Sequence, residues 1–193
     1  MVLSAAPSNL FWDSCVFTAF FRDQTAAYDI ASIEQYLTEA GEGKHHIYTS
    51  SLVFAEILPS SLKPGVGSFQ EFADDFQGAI VIVDASPNVM QIAGRLRDLP
   101  YRKGTSPGRR LATPDSIMLA SAVYLTEAVG VRLAAFHTFD DGRRRDPDGR
   151  SVPLLSYHEW CEGFTPEQMR VAKAVVDMPR QRPVHPAPKL PGT

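Results

Sequence analysis

The chain has 193 residues, 44% of them hydrophobic and 21% charged, so it can bury a real core of about one α/β domain, and no apolar run is long enough to cross a bilayer. The start, MVLSAAPSNLFWD, lacks a basic segment and a long apolar segment, and Cys15 and Cys161 are too few for a disulfide framework, so a signal peptide is not expected and a cytoplasmic protein with reduced thiols is. The formal net charge of −3 argues against a protein that simply coats nucleic acid, but not against one whose acidic site is neutralised by cations.

In chain order, LFWDSCVF (10–17) predicts a short buried strand running straight into a helix. Residues 31–40 are helix-like, stopped by Gly41 and Gly43. HIYT (46–49) is a second short strand, a helix over 50–58 ends at Pro59, and 68–76 forms a short amphipathic helix. AIVIVD (79–84) is an apolar strand of the parallel-sheet kind. Ser86 is the N-cap and Pro87 the first position of a helix that reaches about Leu99 and stops before Pro100. After a basic Gly/Pro/Ser loop (101–111), Thr113, Pro114 and Asp115 open a helix that runs to about Val129 and is closed by Gly130. RLAAFHTF (132–139) is a strand, Asp140-Asp141-Gly142 a turn, and 152–155 a last edge strand. Strands alternating with helices imply a three-layer α/β/α sandwich with a central, mainly parallel sheet of four to five strands, spanning 1–157. In 158–193, Thr165-Pro166-Glu167-Gln168 has the form of a capping box and starts one more helix, ending near Met178. The last fifteen residues, PRQRPVHPAPKLPGT, hold five prolines and are expected as an extended tail.

Ligands of an open parallel sheet bind beyond the carboxyl ends of its strands. Asp13 and Asp140 fall at such ends, and Asp115 lies in the first turn of a helix, where free N–H groups favour a carboxylate. Glu56 lies in an apolar stretch, among Leu52, Val53, Phe54, Ala55, Ile57 and Leu58. Each acid has a simpler reading, as a turn former, a helix-start stabiliser or part of a solvated face. One metal site at the carboxyl edge accounts for all four at once. Arg95, Arg97, Arg102, Lys103, Arg109 and Arg110 face one acid, Asp98, within 95–110, and Arg143, Arg144 and Arg145 make a second basic run. Both runs read equally as phosphate grooves or as solvated loops.

Other signals are weaker. His45 and His46 read as an exposed pair before a strand, and His137 as strand packing. His158 and Cys161 have no second pair with which to bind zinc. Cys15 beside an acid reads as a small buried residue rather than a nucleophile, because the carboxylate raises its pKa. Gly65 and Gly67 follow no strand and make no phosphate loop. A phosphatase of the haloacid-dehalogenase type needs a second Asp two residues after the first, where Cys15 stands.

The segments WDSCV, SSLVFAEIL, LATPDSIMLASAVYL and FHTFDD resemble, in order, the four acidic motifs of the PIN-domain family. The third is the most specific: an Asp opening a helix of small and apolar residues (Asp115, Ile117, Leu119, Ala120, Ala122). Ser50, six residues before Glu56, and Thr138, two before Asp140, also match the family pattern. Where many members carry Asn two residues after the first acid, this chain has Cys15, and Gly142 stands where another Asp is common, with Asp141 adjacent to Asp140 instead. The resemblance implies an endoribonuclease dependent on Mg²⁺ or Mn²⁺, the cations that oxygen-only ligands favour. Asp13, Asp115 and Asp140 would be metal ligands, and Glu56 a ligand or the group that orients the attacking water. Thr138, Asp141 and Ser50 would support the cluster, and Arg109 and Arg110 would hold the RNA backbone. Many small members are toxins that form homodimers and are held inactive by an antitoxin protein. A PIN-like scaffold without catalysis and a nuclease for structured DNA are the competing readings.

Overall fold

The computed structural model describes residues 7–142 and 151–186. The basic run Arg143, Arg144 and Arg145 lies outside the described residues. The architecture is α/β: a five-stranded, all-parallel sheet in the order β3-β2-β1-β4-β5 with helices on both faces, a three-layer sandwich. The strands are β1 (Ser8–Trp12), β2 (His45–Ser50), β3 (Ile80–Val83), β4 (Ala135–His137) and β5 (Arg180–Gln181). The helices are α1 (Ser14–Phe21), α2 (Ile30–Gly41), α3 (Val53–Glu56), α4 (Phe69–Asp74), α5 (Pro87–Arg97), α6 (Thr113–Glu127) and α7 (Pro166–Asp177). Among the described residues, no helix is long and apolar enough to cross a membrane.

Alternation along β1 separates the two faces. Trp12 packs with Phe17 of α1 and Tyr36 of α2 on one side. Phe11 stacks on Phe136 of β4 on the other, with ring centroids 5.3 Å apart. That second face meets α6, whose Ser121 hydroxyl is bonded to Ser50 of β2 at 2.9 Å. His137 is fully buried beside Trp12 and Tyr36. Burial and the nearby His45 push its pKa down to about 4, so it packs as a neutral ring, as its strand position predicts.

Local chemistry sets the helix starts. Ser86 and Thr165 cap α5 and α7 through their hydroxyls, Thr165 within a full capping box with Gln168, and prolines occupy the first turns of α5, α6 and α7. Three expectations fail. The helix expected over 50–58 reduces to the single turn of α3, because Ser50 belongs to β2 and Leu58, before Pro59, is extended. Residues 152–155 form no strand. Their neighbour Ser151 makes one isolated bridge to Arg110, while Val152 and Leu154 are buried in the core. The sheet edge comes from the segment expected as a tail. β5 pairs with β4, with Phe136 N–H donating to Pro179 O at 2.7 Å and Thr138 N–H to Gln181 O at 3.0 Å. Two residues beside Pro179 suffice because an edge strand needs pairing on one side only.

Tyr101 joins the basic loop to the turn at Tyr157–Trp160. Its hydroxyl donates to Leu96 O at 2.7 Å and lies 2.8 Å from the Tyr157 hydroxyl, both rings being fully buried. Tyr101→Phe leaves the buried Tyr157 hydroxyl without this partner and Leu96 O with only its backbone donor Leu99 N–H, and is expected to cost about 2 kcal/mol in urea unfolding. An unchanged midpoint would show that this buried pair does not hold the loop.

Candidate active site

Asp13 follows the last residue of β1 and occupies the N-cap position of α1, yet its side chain does not cap the helix. It is 5% exposed. Its backbone N–H extends the pairing of β1 with β4 by donating to His137 O at 3.0 Å. Its carboxylate is held from below: Oδ2 accepts from the Thr138 hydroxyl at 2.7 Å and from the Cys15 thiol at 3.1 Å. The Ser14 hydroxyl reaches Oδ1 at 3.5 Å.

Cys15 therefore donates to the acid from the place where the resembled family often carries Asn. Its sulfur also accepts the Phe139 N–H at 3.2 Å. Desolvation, and next the charge of Asp13, push the thiol pKa well up, so this partly buried cysteine serves as a hydrogen-bonding group and not as a nucleophile.

Glu56 ends α3 and is partly buried. Its Oε2 is enclosed and has no hydrogen-bond partner. Burial raises its pKa, the Ser14 hydroxyl pulls the other way, and the charge of Asp13 raises it further. Asp140 lies just past β4 and is also partly buried. Burial raises its pKa, two backbone N–H groups oppose this, and the charges of Asp13 and Asp141 add to the rise. Asp13 is thus the charge that both other acids feel.

Asp140 also has a structural task. Its Oδ1 accepts from Gly142 N–H at 3.1 Å and its Oδ2 from Leu154 N–H at 2.9 Å, while its carbonyl accepts from Leu155 N–H at 3.0 Å. Gly142 makes this turn with φ +74°, and a Cβ there would meet Pro153 Cγ at 2.5 Å. Asp140→Ala is expected to lower stability by about 2 kcal/mol in EDTA, because two partly buried N–H donors lose their carboxylate acceptor. A parental unfolding midpoint would mean that this carboxylate does not pin residues 152–155. Asp141 turns elsewhere, to Arg182 Nη2 at 2.6 Å.

Asp115 is the third residue of α6, in its first turn and half-buried. Ser50 does not support the acids directly. It is fully buried, bonded to Ser121 and accepting from Leu52 N–H at 3.3 Å, and so ties β2 to α6. Arg109 is anchored: its guanidinium lies 4.2 Å over the Trp160 ring and donates to Ser151 O at 2.9 Å. Arg110 is exposed, and both line a groove with Arg97, Asp98 and Pro100.

The expected convergence of four carboxylates on one point is only partial. Among the described residues, the one group of three or more ligand atoms from His, Cys, Asp or Glu within 4.8 Å of one another is Glu39, His45 and His185, outside this site. Two contributors escaped sequence reasoning. Ser14, next to Asp13, faces two acids, and Arg182, in the expected tail, takes Asp141. Adjacency to Asp13 was the one available signal for Ser14. Comparison with family models, curated proteins and solved structures gave no match.

Proposed function

We propose that the chain is a metal-dependent nuclease, an endoribonuclease of the PIN kind, acting at Asp13, Glu56, Asp115 and Asp140. The observation that carries this reading is the enclosed, unpartnered Oε2 of Glu56 next to the buried carboxylate of Asp13. Two such groups repel, and a cation is the ordinary means of keeping both ionised. An all-oxygen donor set suits Mg²⁺ or Mn²⁺. A bound ion would supply Lewis-acid polarisation of a phosphodiester and of the attacking water.

The chain's own residues do the rest. Thr138 and Cys15 fix the orientation of Asp13. Asp140 and the first turn of α6, with Asp115, present the remaining acids. Glu56, its Oε2 enclosed beside Asp13, would ligate the ion directly or through water, or orient the attacking water. Arg110 in the basic groove meets the substrate backbone, and RNA is the substrate that the resemblance favours. An antitoxin-like protein and a second copy of the chain are the partners it carries. Phe54 and Leu58, exposed within two residues of Glu56, are the surface on which either would close the site.

Protein stripped with EDTA should cut single-stranded RNA only when Mg²⁺ or Mn²⁺ is restored. Parental cleavage by both Asp13→Asn and Asp115→Asn would sink the assignment. RNA binding without cleavage would favour a binding module, a reading that Asp140 supports because both its oxygens already hold backbone.

A further inference from the structure

At the opposite edge of the sheet, three side chains from three separate segments point at one another. Ser8 and His45 are paired residues at the starts of β1 and β2, whereas Asp13 follows the end of β1. Five residues of strand, about 16 Å, lie between the two edges. Glu39 comes from the last turns of α2, His45 from β2, and His185 from the segment after β5. Glu39 Oε2 lies 2.8 Å from His45 Nε2 and 3.1 Å from His185 Nε2.

We infer that Glu39, His45 and His185 form a second metal site, for a zinc-class transition ion, that clasps the C-terminal segment to the amino edge of the sheet. The donor set of two imidazoles and one carboxylate suits Zn²⁺ and its neighbours rather than Mg²⁺. Ligand atoms about 2.0–2.1 Å from a tetrahedral ion stand about 3.3 Å apart, so the two distances from Glu39 Oε2 need to open by only a few tenths of an ångström, and all three ligand atoms lie within 4.8 Å of one another. Solvent would take the fourth position.

The surroundings hold each ligand in place. The Ser8 hydroxyl lies 2.7 Å from His45 Nδ1, the outer partner that a metal-bound imidazole ordinarily has. Gln35 Nε2 donates to Glu39 Oε1 at 2.9 Å, which leaves Oε2 toward the rings. Tyr36 wedges against both imidazoles, with centroids 4.8 Å from His185 and 5.4 Å from His45. Its hydroxyl donates to Val184 O at 3.3 Å, and His185 N–H donates to Ser32 Oγ at 2.9 Å, so the backbone carrying His185 is fixed from two sides. Among the described residues, the Lys paired with Glu39 is Lys44, which stands 3.8 Å from Oε1 on a side chain 57% exposed and pairs more closely with Glu42, at 2.6 Å. Burial alone would push the Glu39 carboxyl up, but the bonds from Gln35, His45 and His185 outweigh it and hold it at about 2, as an anion.

The clasp concerns neither the carboxylate site nor cleavage, so the two readings stand or fall separately. The full chain, stripped with EDTA, is titrated with Co²⁺ and then with Zn²⁺. One equivalent of Co²⁺ should give the visible bands of a tetrahedral ion, bleached by Zn²⁺, and Zn²⁺ should raise the melting temperature. Both effects should persist in Asp13→Asn and vanish in Glu39→Gln and His185→Gln, with circular dichroism checking that each variant is folded. Ser8→Ala, which removes no ligand, should weaken binding about 10–100-fold. Folded parent protein that takes up no Co²⁺ would overturn the proposal. So would binding that survives Glu39→Gln and His185→Gln, or binding that is lost only in Asp13→Asn.

Discussion

Asp13→Asn is expected to lower metal-dependent RNA cleavage by about a hundredfold or more while making the metal-free protein more stable at neutral pH. The first half follows because loss of a mere outer partner costs about 10–100-fold, and a ligand should cost at least the upper end. The second half follows from the charges. Asn keeps an amide oxygen for the Thr138 and Cys15 donors but removes the negative charge that raises the pKa values of Glu56 and Asp140. Carboxyls with raised folded-state pKa values contribute stability that is fully present below their unfolded values, about 4, and is lost as pH rises through the folded values. Asp13→Asn removes part of that loss. The difference between variant and parent in EDTA should therefore be small near pH 4 and grow toward pH 7, to on the order of 1 kcal/mol. Glu56→Gln should behave alike, for the added reason that burial of Oε2 no longer opposes a charge. Urea unfolding across this range, beside cleavage with and without Mn²⁺, checks both halves. A variant that cuts as well as the parent and shows no pH-dependent gain would remove Asp13 from the site.

The legible parts of this chain are those where one residue type has one physical use. The apolar run ending at Val83, the prolines and hydroxyl caps at Ser86-Pro87 and Thr165-Pro166, and Asp115 in the first turn of α6 all announce their elements locally. Thr138, read from its spacing to Asp140, does hydrogen-bond Asp13. What was hidden depends on contacts far apart in sequence. Ser50 looked like the start of a helix near Glu56, but its partner is Ser121 on α6. Residues 152–155 are apolar enough for a strand, yet the N–H groups of Leu154 and Leu155 go to Asp140 and that of Val152 to Arg110 O. His45 looked exposed because its cover, Glu39 and His185, comes from a helix turn and from a segment 140 residues later. β5 gave no pattern at all, since two polar residues beside Pro179 carry no periodicity.

That hidden strand yields the largest expected effect on stability. A chain ending at Met178 should lose on the order of 4 kcal/mol, a large part of the 5–15 kcal/mol that holds an ordinary domain together. Phe136 and Thr138 would each lose a backbone acceptor, Pro179 O and Gln181 O, in a largely buried setting, at about 1–3 kcal/mol apiece. β4 would become a bare edge. Arg180, stacked 5.4 Å from Tyr157 and bonded to Val175 O, would go as well. The Arg182–Asp141 pair is half in solvent and contributes little, so Arg182→Ala alone should change stability by less than about 1 kcal/mol. A chain ending at Pro186 keeps all of these contacts and should be more stable than the one ending at Met178 by about that amount. Cleavage should fall with the shorter chain too, because Thr138 is both the last residue held by β5 and the donor to Asp13. If the chain ending at Met178 matches the parent in urea, β5 is not part of the sheet that carries the acids. If it unfolds early but cuts normally at low temperature, Asp13 keeps its orientation without β5.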